Sequence, residues 1–192
     1  MTENEFMIVF LDCEFTDLLH PELLSLGLVT LDGREHYCEL DLATEIGKAR
    51  VKASSDFVRH GGVLDFRGLV PDSTVTELEI GRRTGEWILG LARESGTRIE
   101  IAFDYIVDYE LLEYAIRDSI PDSGLWERVR EVVSPVNVNV LTGTIDGEIA
   151  AEECFRGLGK RGLHRHHALA DALALRAAYI AVKNKALLHK SP

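Results

Sequence analysis

The feature that most constrains the fold is an apolar run that ends in two acids. Phe6-Met-Ile-Val-Phe-Leu11 is apolar at every position and leads directly into Asp12-Cys-Glu14. A strand that is apolar on both alternating faces is typical of a sheet covered on both sides. Asp12 and Glu14 project together to one face at the carboxyl end of this strand. The pair indicates either a solvated strand terminus or a site for a hard divalent cation.

The elements that follow predict one α/β domain. Leu23–Leu31 and Arg34–Leu40 are predicted strands joined by Asp32-Gly33, a hairpin signal. The remaining predicted elements are a helix over Ser73–Leu91, a strand over Arg98–Phe103, helices over Tyr109–Arg117, Glu148–Leu158 and about 167–185, and an ambiguous segment over Trp126–Val140. We therefore expect a single domain over 1–192, with its core over about 6–185. Its mixed central sheet is flanked by helices, and the first three strands are antiparallel.

The net charge and the apolar content of the chain restrict the partners and the location that it can have. The 192 residues include 21 Lys and Arg against 32 Asp and Glu, a net charge of −11. Such a chain is a poor candidate for binding long duplexes, which takes many basic contacts, but small or end-on phosphate substrates are compatible with it. The longest apolar runs have six residues, against the roughly 20 that a membrane span needs. With an acidic N-terminus unlike a secretory signal, the sequence predicts a cytoplasmic protein without membrane contact.

A second carboxylate lies on the apolar face of the predicted last helix. Asp171 shares a helical stripe with Leu175, Ala178, Tyr179 and Val182. An inward carboxylate is costly unless it is paired or bound to metal. His166 lies five residues earlier, at or before the first turn of the helix. That position is compatible either with an imidazole on the surface that has no function or with an imidazole that acts with Asp171.

A third acidic segment, Phe103-Asp-Tyr-Ile-Val-Asp108, follows the predicted strand that ends at Phe103. Either Asp104 or Asp108 is compatible with a loop or a helix N-cap, and the cap suits Asp108 well.

Together these motifs resemble the DEDDh family of 3′-to-5′ exonucleases, which have a ribonuclease H-like fold. The resemblance rests on Asp12-x-Glu14, on an Asp after a later strand, and on His166-x-x-x-x-Asp171, in that order. Leu11-Asp-Cys-Glu-Phe15, followed by the segment 22–29, is most similar to the small stand-alone exoribonuclease-like members. The similarity covers about 6–40, 99–116 and 163–182, whereas 41–97 and 118–160 match nothing recognisable. The family's usual His-Asn-x-x-Phe-Asp is replaced by the segment 103–108.

The resemblance implies a metal-dependent hydrolase. Asp12, Glu14, Asp108 and Asp171 would be the metal ligands, and two Mg²⁺ or Mn²⁺ ions would balance their four negative charges. His166 would be the general base of a two-metal mechanism. Asp108 rather than Asp104 is the expected ligand, because that alignment places Leu111 and Leu112 at the following apolar positions.

The implied partner is the 3′ end of a single-stranded nucleic acid, with RNA favoured over DNA. Phe15, Leu19, Asp104 and Tyr105 are expected near the terminal nucleotide, and His164 and Arg165, with Lys160 and Arg161, near the backbone or in a solvated loop. Homodimers are common among stand-alone relatives. Two alternatives stay open, a catalytically inactive ribonuclease H-like module that binds nucleic acid and a metal-dependent phosphohydrolase of small nucleotides.

Overall fold

The strand that carries Asp12 and Glu14 lies inside a six-stranded mixed sheet, ordered β4-β3-β2-β1-β5-β6. The computed structural model describes residues 6–119 and 124–188. The strands are β1 (Phe6–Phe15), β2 (Leu23–Thr30), β3 (Glu35–Leu40), β4 (Thr74–Val75), β5 (Arg98–Phe103) and β6 (Val133–Asn137). The helices are α1 (Glu45–Ala53), α2 (Asp56–His60), α3 (Glu77–Ser95), α4 (Ile106–Ser119), α5 (Leu125–Val132), α6 (Asn139–Thr142), α7 (Ile145–Leu158) and α8 (Ala168–Leu188), with a 3-10 turn at Gly159–Arg161.

Strand pairing confirms the α/β class and the mixed sheet. β1 runs antiparallel to β2, and β2 runs antiparallel to β3. β5 is parallel to β1, and β6 is parallel to β5. The carboxyl ends of β1 and β5 therefore lie side by side, which brings the residues after each strand together.

Both faces of β1 are covered by helices. Val9 and Leu11 are fully buried in a cluster with residues of α3, α4 and α5. Phe10 points to the opposite face, where it packs with Leu175 of α8 and meets the Tyr179 ring at 5.2 Å. Because side chains alternate along a strand, Asp12 shares the face of Phe10 and points toward α8.

The predicted helix over Ser73–Leu91 begins later than its sequence indicates. Thr74 and Val75 instead pair with β3 as the short strand β4. The N-cap of α3 is Thr76, whose Oγ1 accepts a 3.4 Å hydrogen bond from the Glu79 N–H. The helix therefore starts after Thr76, which is its N-cap, and not at Ser73.

The ambiguous segment Trp126–Val140 contains both kinds of structure, because α5 leads directly into β6. Helices α1 and α2 were not predicted. Among the described helices, none is both long enough and apolar enough to cross a membrane.

Candidate metal centre

Carboxylates from four parts of the chain gather at the carboxyl ends of β1 and β5. Asp12, Asp104 and Asp108, here called the Asp12 triad, have ligand atoms within 4.8 Å of one another. Glu14, His166 and Asp171, here called the His166 triad, meet the same limit. β1 contributes one acid to each triad, and because residues two apart in a strand share a face, the two groups adjoin.

The loop after β5 and the first turn of α4 each supply one further member of the Asp12 triad. Asp104 follows β5 directly and is exposed, whereas Asp108 is only 2% exposed. Because α4 begins at Ile106, Asp108 lies in its first turn rather than at the predicted cap position. The buried side chains of Leu111 and Leu112 pack against the sheet as expected.

The start of α8 supplies the other two members of the His166 triad. His166 precedes the helix and has a left-handed backbone, with φ of 69°. For a residue with a Cβ this conformation costs about 1–2 kcal/mol. Its N–H donates a 2.8 Å hydrogen bond to Oδ2 of Asp171. This bond holds the Asp171 carboxylate, whose ligand atoms lie within 4.8 Å of those of Glu14.

Burial and mutual repulsion make the ionised carboxylates unfavourable. Burial is the main cause that raises the pKa of Asp12 well above its usual value, followed by the charges of Asp171 and Asp108. The pKa values of Glu14 and Asp108 are raised to about 8, again mainly by burial. The pKa of Asp171 is raised to about 7, although the His166 N–H and Arg165 oppose the change.

This set of donors fits divalent cations. Oxygen ligands suit Mg²⁺ and Mn²⁺, and a buried cluster of acids is costly until positive charge neutralises it. The two adjoining triads provide two groups of oxygen donors, one with an imidazole beside it.

His166 is half-buried, and burial followed by the charge of Arg165 lowers its pKa below the usual value. Its imidazole is therefore neutral near pH 7, as a base requires. The ring meets the edge of Phe57 of α2 at 5.0 Å. Sequence reasoning missed Phe57, although Ser55-Asp56 just before it is a helix-start signal, and Ser55 does cap α2.

Two cavities flank the carboxylates. One of about 420 Å³ is lined by Glu14, Phe15, Leu18 and Phe57, among others. The other, of about 290 Å³, is lined by Asp12, Asp104, Asp171 and Arg165, among others. Tyr105 stacks on Phe15 at 6.4 Å and so lies beside the first cavity.

The predicted backbone-binding residues occupy different environments. Arg165 pairs with Glu152 and lies 4.5 Å over the Phe155 ring. Arg161 makes a bidentate pair with Glu35, at 2.8 and 2.7 Å.

Three further predicted residues lie outside both triads. His164 is exposed and contacts the Phe66 ring at 5.0 Å. Lys160 is exposed in the 3-10 turn. Leu19 lines a separate groove with Arg50 and Tyr114.

No family model matches this chain, and a search of curated proteins finds no significant match. Its function is therefore inferred from the site and from the order of its motifs.

Proposed function

We propose that this protein is a metal-dependent 3′-to-5′ exonuclease that hydrolyses phosphodiester bonds at the ends of single-stranded nucleic acid, RNA in preference to DNA. The observation that carries the proposal is the convergence of Asp12, Glu14, Asp108 and Asp171 with His166 at one end of the sheet. The strand order is compatible with a ribonuclease H-like fold. The 3′-to-5′ direction of hydrolysis and the class of substrate rest on the resemblance to the DEDDh family.

Asp12, Glu14, Asp108 and Asp171 would hold the metals. Two bound Mg²⁺ or Mn²⁺ ions supply charge neutralisation, activation of a water and stabilisation of the leaving oxygen. The raised carboxyl pKa values support this assignment, since burial first and the charges of the neighbouring acids second make the ionised forms unfavourable until a cation is bound.

His166 would accept a proton from the attacking water on a ring nitrogen. Its lowered pKa keeps that nitrogen unprotonated near neutrality. The hydrogen bond from its own N–H to Asp171 and the Phe57 contact fix the backbone and ring next to Glu14. A base held this way needs little reorganisation in the reaction.

The cavity beside Glu14 suits a terminal nucleoside. At about 420 Å³ it falls in the range of small-molecule sites, which is about 300–1,000 Å³. The exposed Phe57 ring and the Leu18 side chain provide apolar surface for a base. In the second cavity, which it lines with Asp12 and Asp171, Arg165 would contact the phosphate backbone.

Time-resolved digestion of 5′-labelled RNA and DNA of equal sequence tests the proposal. With Mg²⁺ or Mn²⁺ we expect a ladder that shortens from the 3′ end, faster on RNA, and no cleavage with excess chelator or in Asp12→Asn. A circular RNA is the matched control and should resist.

Three outcomes would contradict the proposal. Cleavage of the circle would mean endonuclease action, and binding without cleavage would indicate an inactive module. Hydrolysis confined to mononucleotides would indicate a small-nucleotide phosphohydrolase.

A further inference from the structure

His167, next to the proposed base, is used by neither triad although it is polar and only 2% exposed. It occupies the N-cap position of α8, which begins at Ala168. Its Nδ1 accepts a 3.3 Å hydrogen bond from the Leu169 N–H. Its carbonyl oxygen accepts from the N–H groups of Ala170 and Asp171, at 2.7 and 3.0 Å. Imidazole therefore performs the capping that Ser, Thr, Asp or Asn usually performs.

The His167 ring is held in place from the sheet. Tyr37 of β3 stacks on it with ring centroids 4.5 Å apart and planes 25° apart. The Tyr37 hydroxyl donates a 2.8 Å hydrogen bond to Glu39, whose other oxygen accepts from Thr74 at 2.6 Å and from the Gly68 N–H at 2.9 Å. This network joins β3, β4 and the preceding loop to the first turn of α8.

The other ring nitrogen, Nε2, is buried and has no hydrogen-bond partner in the part of the chain that the structure describes. The hydrogen bond that Nδ1 accepts is thus the one polar contact of the ring among the described residues. A smaller cap residue would satisfy the Leu169 N–H without burying an unpaired nitrogen, so capping alone does not explain the ring. Stacking on Tyr37 is the second contribution of the ring, which packs the start of α8 against β3.

The two residues that the cap would position lie on either side of it. His166 precedes the cap in the left-handed conformation, and Asp171 is the fourth residue of the helix. Many helices place an apolar pair at these two positions to fix the angle of entry. Here the pair is polar, since the His166 N–H donates to Asp171. His167 lies between them and caps the helix through its Nδ1.

We propose that His167 is a positioning residue, which acts through the left-handed backbone of His166 and the carboxylate of Asp171 to hold the His166 triad together. The inference rests on the proposed function for its kinetic consequence. Its structural consequence, the geometry of the triad, is measurable without activity.

Two substitutions separate the cap from the packing. His167→Asn keeps an acceptor oxygen near the position of Nδ1 and loses the ring. His167→Phe keeps a ring to stack on Tyr37 and loses the acceptor. If His167 positions the triad through its cap, His167→Phe lowers kcat by on the order of 100-fold with KM changed little. His167→Asn retains most of kcat, even where it melts at a lower temperature.

Two measurements do not depend on catalysis. In His167→Phe we expect weaker Mn²⁺ binding by calorimetry, and loss of the strong intraresidue HN–Hα NOE of His166 that a positive φ produces. Both should persist in His167→Asn.

The possible results are distinguishable. If the wild-type protein does not degrade nucleic acid, the proposed function fails, while the NOE and Mn²⁺ data still decide the positioning role. If His167→Phe matches the wild type in kcat, Mn²⁺ affinity and NOE, or if both variants lose activity in proportion to their loss of stability, the positioning role is overturned.

Discussion

Gly27 of β2 and Ala168 of α8 are in direct backbone contact: a Cβ placed on Gly27 would stand 2.5 Å from the Ala168 carbonyl oxygen. Gly27 is also the residue that pairs with Asp12 across β1 and β2. The first turn of α8 therefore rests on the sheet directly beside Asp12. This close approach, which glycine alone permits, brings His166 and Asp171 to the acids of β1.

We expect Gly27→Ala to displace the start of α8. The added methyl would meet backbone atoms that cannot move aside, so the free energy of unfolding should fall by at least about 1–3 kcal/mol. Urea denaturation measures this loss, and calorimetry should show weakened Mn²⁺ binding.

The matched control is Gly90→Ala, in the middle of α3, where a Cβ would have no neighbour within 4 Å. It should stabilise the protein by about 0.5–1 kcal/mol and leave Mn²⁺ binding unchanged. If Gly27→Ala binds Mn²⁺ as tightly as Gly90→Ala does, close packing at Gly27 does not position the site.

The sequence predicted the parts of the site that lie on long, regular elements. β1 and α8 have clear apolar patterns, so Asp12, Glu14 and Asp171 were assigned to the correct faces. Phe57 was missed, because α2 has only five residues and is marked by its Ser55 cap rather than by periodicity. Short helices are specified mainly by caps and tertiary contacts, which a pattern of hydrophobicity does not reveal.

The choice between Asp104 and Asp108 was also beyond the sequence pattern. Asp104 lies in the loop before α4 and Asp108 in its first turn, and the structure places both beside Asp12. The resemblance to the DEDDh motif selects Asp108 alone as the ligand, whereas the structure places both Asp104 and Asp108 near Asp12.

Without divalent metal, the protein should lose stability as the pH rises. The pKa values of Glu14 and Asp108, about 8, and of Asp171, about 7, lie above their ordinary values of 4.5, 3.8 and 3.8. Between those limits the folded state binds more protons than the unfolded state, so the free energy of unfolding falls with pH. We expect a loss of more than about 2 kcal/mol from about pH 5 to pH 8, measured by denaturation in chelator.

Two changes should weaken the fall in stability that the metal-free protein shows as the pH rises. Saturating Mg²⁺ favours the ionised cluster and should restore stability at about pH 8. Asp12→Asn removes one of the repelling charges and should raise the stability of the metal-free protein at that pH. A metal-free stability that is constant or rises across the range would show that the acids are not strained.

Arg165 should contribute to substrate binding more than Arg161 does. Arg165 is paired with Glu152 through one nitrogen and lines the cavity with Asp12 and Asp171, whereas Arg161 is paired at both terminal nitrogens with Glu35 and does not line that cavity. We expect Arg165→Gln to reduce kcat/KM on an oligonucleotide by about tenfold, with a weaker salt dependence. Arg161→Gln should change it by less than about twofold, because exposed ion pairs contribute little. Equal effects of both would indicate a general charge effect.

His166 should be the base among the neighbouring histidines. His166→Ala is expected to lower kcat by about 10²- to 10⁴-fold and to remove the acid limb of the pH–rate profile. In the wild type that limb should lie below about pH 6.5, since burial lowers the pKa of His166. His164→Ala is the control, because His164 contacts Phe66 and lies outside both triads. A larger loss in His164→Ala would contradict the assignment.

Asp108 should be the essential ligand of the Asp12 triad, and Asp104 should be replaceable. Asp108 is only 2% exposed, and backbone groups of Cys13 and Tyr105 hydrogen-bond to its carboxylate. Asn keeps an oxygen for those bonds and removes the buried charge. Asp108→Asn should therefore eliminate turnover with little change in melting temperature.

Under the proposed function, the exposed Asp104 corresponds to a position where the DEDDh motif usually has Asn, so Asp104→Asn should keep substantial activity. Assaying the two variants together with Mg²⁺ and Mn²⁺ decides whether Asp108 or Asp104 is the ligand. The two variants are matched, because each substitution removes one negative charge from the same triad and changes the side-chain volume little. An active Asp108→Asn with an inactive Asp104→Asn would reverse the assignment. Loss of activity in both would mean that each acid is required, as the shared position beside Asp12 allows.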